Sequence, residues 1–254
     1  MKISIVIPSW NNLKYLRTCI ESIKANSINE HEIIVHVNEG SDDSIKFLKK
    51  NNIKYTYTPK NVGICSAVNL AALKVTSDYI IYSNDDMYYP SNWDKGLIKC
   101  LSLQKNNLFY FTALSVSPRN DIIQYDCGKS IDDFNKNKFE NFCETYTSND
   151  LKASHLSPFV IHKDVWNQVN GFSEEFDPGD GSDPDFCFKL WNIGVRNFRC
   201  LSNFKIYHFG SITTRKNKDF KLNNGTKTFI LKWGISPKFF RQNYLKWNSK
   251  EFYN

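Results

Sequence analysis

Short apolar runs that break off at polar turns, each followed by a stretch of helical spacing, constrain this chain more than any other feature. Ile3-Ser4-Ile5-Val6-Ile7 reads as a buried strand that stops at Pro8. Asn11 or Asn12 can cap the helix that follows, in which Leu13, Leu16, Ile20 and Ile23 recur at helical intervals. Glu32-Ile33-Ile34-Val35-His36-Val37 forms a second strand and ends in the turn Asn38-Glu39-Gly40-Ser41-Asp42-Asp43, from which a short helix can start. Tyr55-Thr56-Tyr57, a loop through Asn61-Val62-Gly63, and a helix marked by Ile64, Val68, Ala71 and Val75 repeat the pattern. The strand Tyr79-Ile80-Ile81-Tyr82 then ends at Ser83-Asn84-Asp85-Asp86. Such alternation predicts an α/β fold with a mostly parallel central sheet flanked by helices, whose ligands sit at the carboxyl ends of the strands.

Between residues 104 and 155 the pattern weakens to a strand-like Leu108-Phe109-Tyr110-Phe111 and a polar stretch that periodicity does not resolve. Order returns with the strand Phe159-Val160-Ile161, a helix from Asp164 to Val169, and an acidic loop running to Asp183. A helix to about Asn192 and the strand Phe204-Lys205-Ile206-Tyr207 complete it.

The apolar run at the start is much shorter than the core of a secretory signal, and no stretch approaches the roughly 18 apolar residues that a membrane span needs. Seven scattered cysteines, odd in number and never in C-x-x-C spacing, read as reduced thiols. A cytoplasmic protein is expected, with any membrane contact peripheral. Residues 210 to 254 hold ten Lys or Arg against Asp219 and Glu251, so the total of +7 leaves about −1 for everything before them. That distribution speaks for a partner met at the tail and against a nucleic-acid-binding protein.

Three places can carry chemistry. Asn84-Asp85-Asp86 sets two carboxylates just beyond an apolar strand: hard oxygen ligands for Mg²⁺ or Mn²⁺, or else an Asx turn capping the next segment. In the loop from Glu174 to Asp185, Pro184 suits the first position of a helix and makes Asp183 its N-cap, or a proton acceptor for an attacking hydroxyl. His208, at the end of a late strand, is either structural or the partner of the acidic pair at a metal.

Ile5-Val6-Ile7-Pro8-Ser9-Trp10-Asn11, Asn38-Glu39-Gly40-Ser41-Asp42, Asn61-Val62-Gly63 with Asn69, Ser83-Asn84-Asp85-Asp86, Gly171-Phe172-Ser173-Glu174-Glu175-Phe176 and Ser182-Asp183-Pro184-Asp185-Phe186-Cys187 stand in order along the chain. In that order and spacing they resemble the family 2 glycosyltransferases, over residues 3 to about 211. The resemblance implies a GT-A fold and inverting transfer of a sugar from a nucleoside diphosphate donor of UDP, dTDP or GDP type. The acceptor would be a saccharide, glycolipid or glycoprotein, and the cofactor Mn²⁺ or Mg²⁺. It further implies that Pro8, Ser9, Asn11, Glu39, Asn61, Gly63, Asn69, Asn84 and Asp85 line the nucleotide-sugar side. Asp86 and His208 would face the metal, Asp183 would be the catalytic base, and Asp185 and Trp166 are acceptor-side candidates. Arg215 and Lys216 are candidates for closing over the diphosphate. Two positions depart from the family pattern: Asn38-Glu39 follows the second strand, which opens the question of UDP specificity, and Ser182 replaces the usual Glu before the base.

The expected organisation is a catalytic domain over 1–211, with its nucleotide-sugar part at about 1–103 and its acceptor part at about 104–211, and a basic aromatic extension over 212–254. That extension could lie on anionic lipid headgroups or pack its aromatics on the domain. Two rival functions differ in kind. Nucleotidyl transfer normally requires a Gly-rich basic loop where this chain has Pro8-Ser9-Trp10-Asn11-Asn12. A non-catalytic nucleotide- or sugar-binding protein would keep the fold without the chemistry.

Overall fold

The computed structural model describes residues 1–119, 121–152, 157–210 and 223–247. Strands β1 (Ser4–Trp10), β2 (Glu32–Asn38), β3 (Lys54–Thr58) and β4 (Tyr79–Tyr82) alternate with helices α1 (Leu13–Asn26), α2 (Ser44–Lys50) and α3 (Ile64–Ala72). There follow β5 (Met87–Tyr88), α4 (Trp93–Ser102), β6 (Phe109–Ser117), β7 (Ile123–Gln124), α5 (Lys136–Thr145) and β8 (Leu151–Lys152). The order continues with β9 (Phe159–His162), α6 (Lys163–Gln168), a 3₁₀ turn at Glu174–Phe176, α7 (Ser182–Asn192), β10 (Asn197–His208), α8 (Gly225–Trp233) and α9 (Pro237–Asn243). The main sheet runs β3-β2-β1-β4-β9-β6-β10-β5, with β7 beside β6 and β8 beside β10.

The first four of these strands are parallel neighbours, β9 enters antiparallel between β4 and β6, and β10 runs parallel to β6. Both faces of the sheet are covered, which explains why its strands read as continuous apolar runs. Val6, Ile34, Ile80 and Tyr82 point to a core shared with Val68, Phe186 and Leu190. Their neighbours Ile5, Ile7, Val35 and Ile81 point to the opposite core with Leu16, Ile20, Leu48 and Leu97. Successive strand side chains alternate in direction, so one run of sequence supplies both layers.

Several expectations are corrected in detail. The last strand begins at Asn197, not Phe204, and its register against β6 shifts between Leu201 and Lys205. The unresolved middle contains a helix, α5, whose Asn135 side chain accepts from the Lys138 amide and whose Phe139 and Phe142 are buried. Neither Asn11 nor Asn12 caps α1 through its side chain. The carboxylate of Asp42, from the turn after β2, accepts from the Leu13 amide at 2.6 Å in their place. Helix α7 starts at Ser182 after Gly181, so Asp183 lies inside the first turn and is not its N-cap.

Helices α8 and α9 pack their aromatics on α7. Phe188 meets Phe229, Trp233, Phe240 and Tyr244, and Trp191 meets Tyr244. Of the two expectations for the basic tail, packing on the domain is what residues 223–247 adopt, and Phe229 and Phe240 belong to the same core as β1 and β4. Among the described residues no helix is long and apolar enough to cross a membrane.

Candidate active site

Register brings the acidic pair and the histidine together. β5 runs antiparallel to β10, with Met87 opposite His208, so Asp86 lies next to the strand end that carries the imidazole. His208 Nε2 stands 3.3 Å from Asp86 Oδ1. That nitrogen is buried and lacks an aligned hydrogen bond. On the other side of the ring, Nδ1 is 3.1 Å from Asp121 Oδ2. Asp121 is fixed in turn: its carboxylate accepts from Ser115 Oγ at 2.6 Å and from the Ile122 amide at 2.8 Å. Burial alone would lower the pKa of His208, but Asp86 and Asp121 outweigh it and raise it to about 10. Two carboxylates thus converge on one cationic imidazolium.

Asp85 points the other way. It is buried and accepts from Ser9 Oγ at 2.7 Å and from Asn12 Nδ2 at 3.0 Å. Burial and then the charge of Asp86 push its carboxyl up, against the pull of those two hydrogen bonds. Asp85 therefore ties the end of β4 to the end of β1, and Asp86 is the member of the pair that meets the histidine.

The rim over β1 and β2 is cross-linked. Trp10 Nε1 donates to Glu39 Oε2 at 2.8 Å, and the Ser41 amide donates to Asn11 Oδ1 at 2.8 Å. Pro8 and Ser9 are buried in β1, and Asn84 accepts from the Tyr82 hydroxyl at 2.8 Å. Other members of the expected nucleotide-sugar set hold the loops themselves. Asn61 Oδ1 accepts from the Gly63 amide at 2.9 Å, and a Cβ on Gly63, at φ +88, would come within 2.2 Å of Asp177 Oδ1. Asp177 accepts from the Cys65 and Ser66 amides, at 2.8 and 3.2 Å, and so caps α3 from far along the chain. The amide of Asn69 donates to the Phe172 carbonyl and accepts from the Phe172 amide, both at 2.9 Å. Gly63 and Asn69, expected on the nucleotide-sugar side, also serve as joints between α3 and the 171–177 loop.

Asp183 differs from every other carboxylate here. Its side chain has no hydrogen bond or ion pair among the described residues. Burial alone pushes its carboxyl up to about 7. The hydroxyl of Tyr82, at the end of β4, is held protonated by burial and then by the charge of Asp183, with smaller effects of Asp86 and Asp85. The two acceptor-side candidates are both buried. Asp185 is fully buried and takes a 2.7 Å hydrogen bond from Trp233 Nε1. Trp166 is a core side chain against Phe172 and Phe186. Arg215 and Lys216 lie outside the described residues.

Sequence reading missed Asp121, Asn12 and Asp177. Asp121 sits in a stretch without periodicity, and only its place beyond β6, a strand read too short, could have pointed to it. Ser182, where a Glu was expected, is buried and donates to the Gly179 carbonyl at 2.7 Å.

Comparison with known proteins fits this arrangement. Solved structures of Staphylococcus aureus TarS (residues 1–349) superpose with TM-scores of 0.61, with UDP bound, and 0.59, with UDP-GlcNAc bound, at 14% identity. They cover 82% and 98% of this chain and 60% and 76% of TarS 1–349, a likeness of fold. Chondroitin synthase of Pasteurella multocida is 25% identical over 99% of this chain and 25% of its own length. Hyaluronan synthase of the same organism is 25% identical over 93% of this chain and 22% of its own length. An uncharacterized glycosyltransferase of Rickettsia conorii is 35% identical over 90% of this chain and 34% of its own length. The chain thus spans about a quarter to a third of these relatives. The model of the family described as glycosyl transferase family 2 matches residues 4–151, more than half of the sequence, and the chain, with its GT-A fold, belongs to that family.

Proposed function

We propose that this chain transfers a sugar from a nucleoside diphosphate donor to an acceptor hydroxyl with inversion, in the synthesis of a surface polysaccharide or glycoconjugate. One observation carries the reading: Asp183, half-buried and without a hydrogen bond or ion pair among the described residues, lies in the first turn of α7, and its charge, like those of Asp86 and Asp85, acts on the Tyr82 hydroxyl at the end of β4. A base for an acceptor hydroxyl must be close, must hold its lone pairs uncommitted, and works best with a pKa near the working pH. Asp183 holds its lone pairs uncommitted among the described residues, and desolvation lifts its carboxyl to about 7. It would take the hydroxyl proton as the oxygen attacks the anomeric carbon from the face opposite the departing diphosphate. Ser9 and Asn12 hold Asp85 rigid, so the floor beneath the donor does not reorganise during transfer.

Asp86 and His208, with Asp121 behind the imidazole, would hold a divalent ion by one carboxylate and one imidazole, a pair that suits Mn²⁺ better than Mg²⁺; among the described residues no group of three or more such ligands gathers. The buried Nε2 without an aligned partner fits the same ion. In the structure the imidazolium supplies the positive charge that two carboxylates require, and a divalent ion would replace its proton. Such an ion offsets the charge that builds on the leaving diphosphate. Asp121 would keep the ring turned so that Nε2 faces it.

The names of the relatives support polymer synthesis, and the nucleotides bound by TarS support a uridine donor. The test is calorimetric titration of UDP, GDP, dTDP and CDP, each with Mn²⁺ and then with EDTA. UDP is expected to bind only with metal, and Asp121→Asn is expected to weaken that binding about 10- to 100-fold. Equal affinity with and without metal would remove the ion from the reading, and no binding of any nucleotide would favour a non-catalytic fold.

A further inference from the structure

An unpartnered carboxylate is aimed by its backbone alone, so what holds the backbone around Asp183 sets where the base can point. On the N-terminal side, the Asp180 amide donates to Asn223 Oδ1 and the Asn223 side chain donates back to the Asp180 carbonyl, both at 3.0 Å. Asp180 Oδ2 accepts from the Gly225 amide at 2.9 Å. The approach is close enough that a Cβ on Gly225 would fall 1.9 Å from the Asp180 carbonyl oxygen.

On the C-terminal side, Trp233 Nε1 donates to Asp185 Oδ1 at 2.7 Å and Lys232 Nζ lies 3.0 Å from the same oxygen. Lys232 also reaches Glu175 Oε1 at 2.7 Å and Ser173 Oγ at 2.8 Å. One ammonium therefore gathers both ends of the acidic loop, and it offsets the charge of a fully buried Asp185. Each of these contacts comes from the basic aromatic extension, and none reaches the Asp183 carboxylate itself.

We propose that the start of the C-terminal extension, through Asn223, Gly225, Lys232 and Trp233, is a clamp that positions Asp183 for proton transfer. This rests on Asp183 being the base. The four are positioning residues: they act through the backbone on either side of Asp183 and touch no substrate. Loss of one should misplace the base without loosening the donor, because Ser9, Asp85, Asp86 and His208 stand at the ends of β1, β4 and β10, away from these contacts.

The experiment uses the full chain as Trp233→Phe, which deletes one N–H and keeps a ring, and as Lys232→Met. Hydrogen exchange of the 173–187 segment and UDP-GlcNAc turnover with Mn²⁺ are read side by side. Faster exchange in that segment, unchanged exchange at 79–88, a kcat lower by about 10- to 100-fold and a donor KM within about twofold are expected. Lys232→Arg, which keeps the charge, should recover most of the rate. If Lys232→Met fails to fold, Trp233→Phe alone decides. Wild-type exchange in Trp233→Phe, or faster exchange with an unchanged kcat, overturns the proposal. If Asp183→Asn turns over donor as the wild type does while the variants still lose protection at 173–187, the assignment of the base fails and a merely mechanical clamp is left.

Discussion

Asp183→Asn is expected to lower the rate of sugar transfer by about 10²- to 10⁴-fold while metal-dependent UDP affinity stays within about twofold of the wild type. The amide keeps the volume and removes the only carboxylate at the site that has no partner among the described residues. The wild type carries a second signature. Because burial lifts this carboxyl to about 7, transfer should rise with pH through that value, and the limb should vanish in the variant. The stability effect has the opposite sign. A carboxyl raised in the folded state favours folding at low pH, and that contribution is lost as pH climbs through about 7. Asp183→Asn should therefore melt higher than the wild type at pH 8, with the gap closing toward pH 5. Turnover unchanged at every pH would remove Asp183 from the mechanism, and equal melting at pH 8 would mean that its charge is not desolvated.

Phe186→Ala is expected to cost about 3–5 kcal/mol of folding free energy, read as a shift in denaturant midpoint. Phe186 is fully buried and its ring meets Tyr110, Phe159, Trp166 and Phe172. Those partners come from β6, β9, α6 and the loop before the 3₁₀ turn, so the cavity would open where four elements meet and none can close it alone. A loss below about 1 kcal/mol would show that these elements pack adequately without it. Phe186 sits one turn along α7 from Asp183, so the same variant should also slow transfer, whereas Asp183→Asn should leave the core intact.

Legibility followed the range of the forces involved. The first strands and helices were readable because burial on both faces of the sheet writes itself as continuous apolar runs, and β4 ends at Tyr82, where the sequence breaks to Ser83-Asn84. Asp85 and Asp86 could be singled out because they follow the end of β4, and His208 because it ends a late strand. Asp121 was not, since its role comes from meeting His208 across a large gap in sequence and no local pattern marks such a meeting. Asp183 was found with the wrong surroundings. Pro184 suggested the first helical position, yet Gly181, in a left-handed conformation, starts the helix earlier and frees the carboxylate from capping. Asp185 and Asn69 show a related limit of local pattern: polar residues beside a site also serve as joints, and sequence alone does not say which way a side chain turns.

The position of β10 bears on how the chain is made. It lies between β6 and β5 in the sheet, although it follows both of them by a long stretch of synthesis. Until it emerges, β6 has one bare edge, β5 has no neighbour in the main sheet, and Asp86 has no imidazole. A nascent chain that has delivered β1 to β9 can already pair β3-β2-β1-β4-β9-β6, but β5 and the far edge of β6 must wait for β10. Synthesis that stalls between α7 and β10 would leave an adhesive intermediate, one that chaperones should engage and that insertion of a single strand would retire.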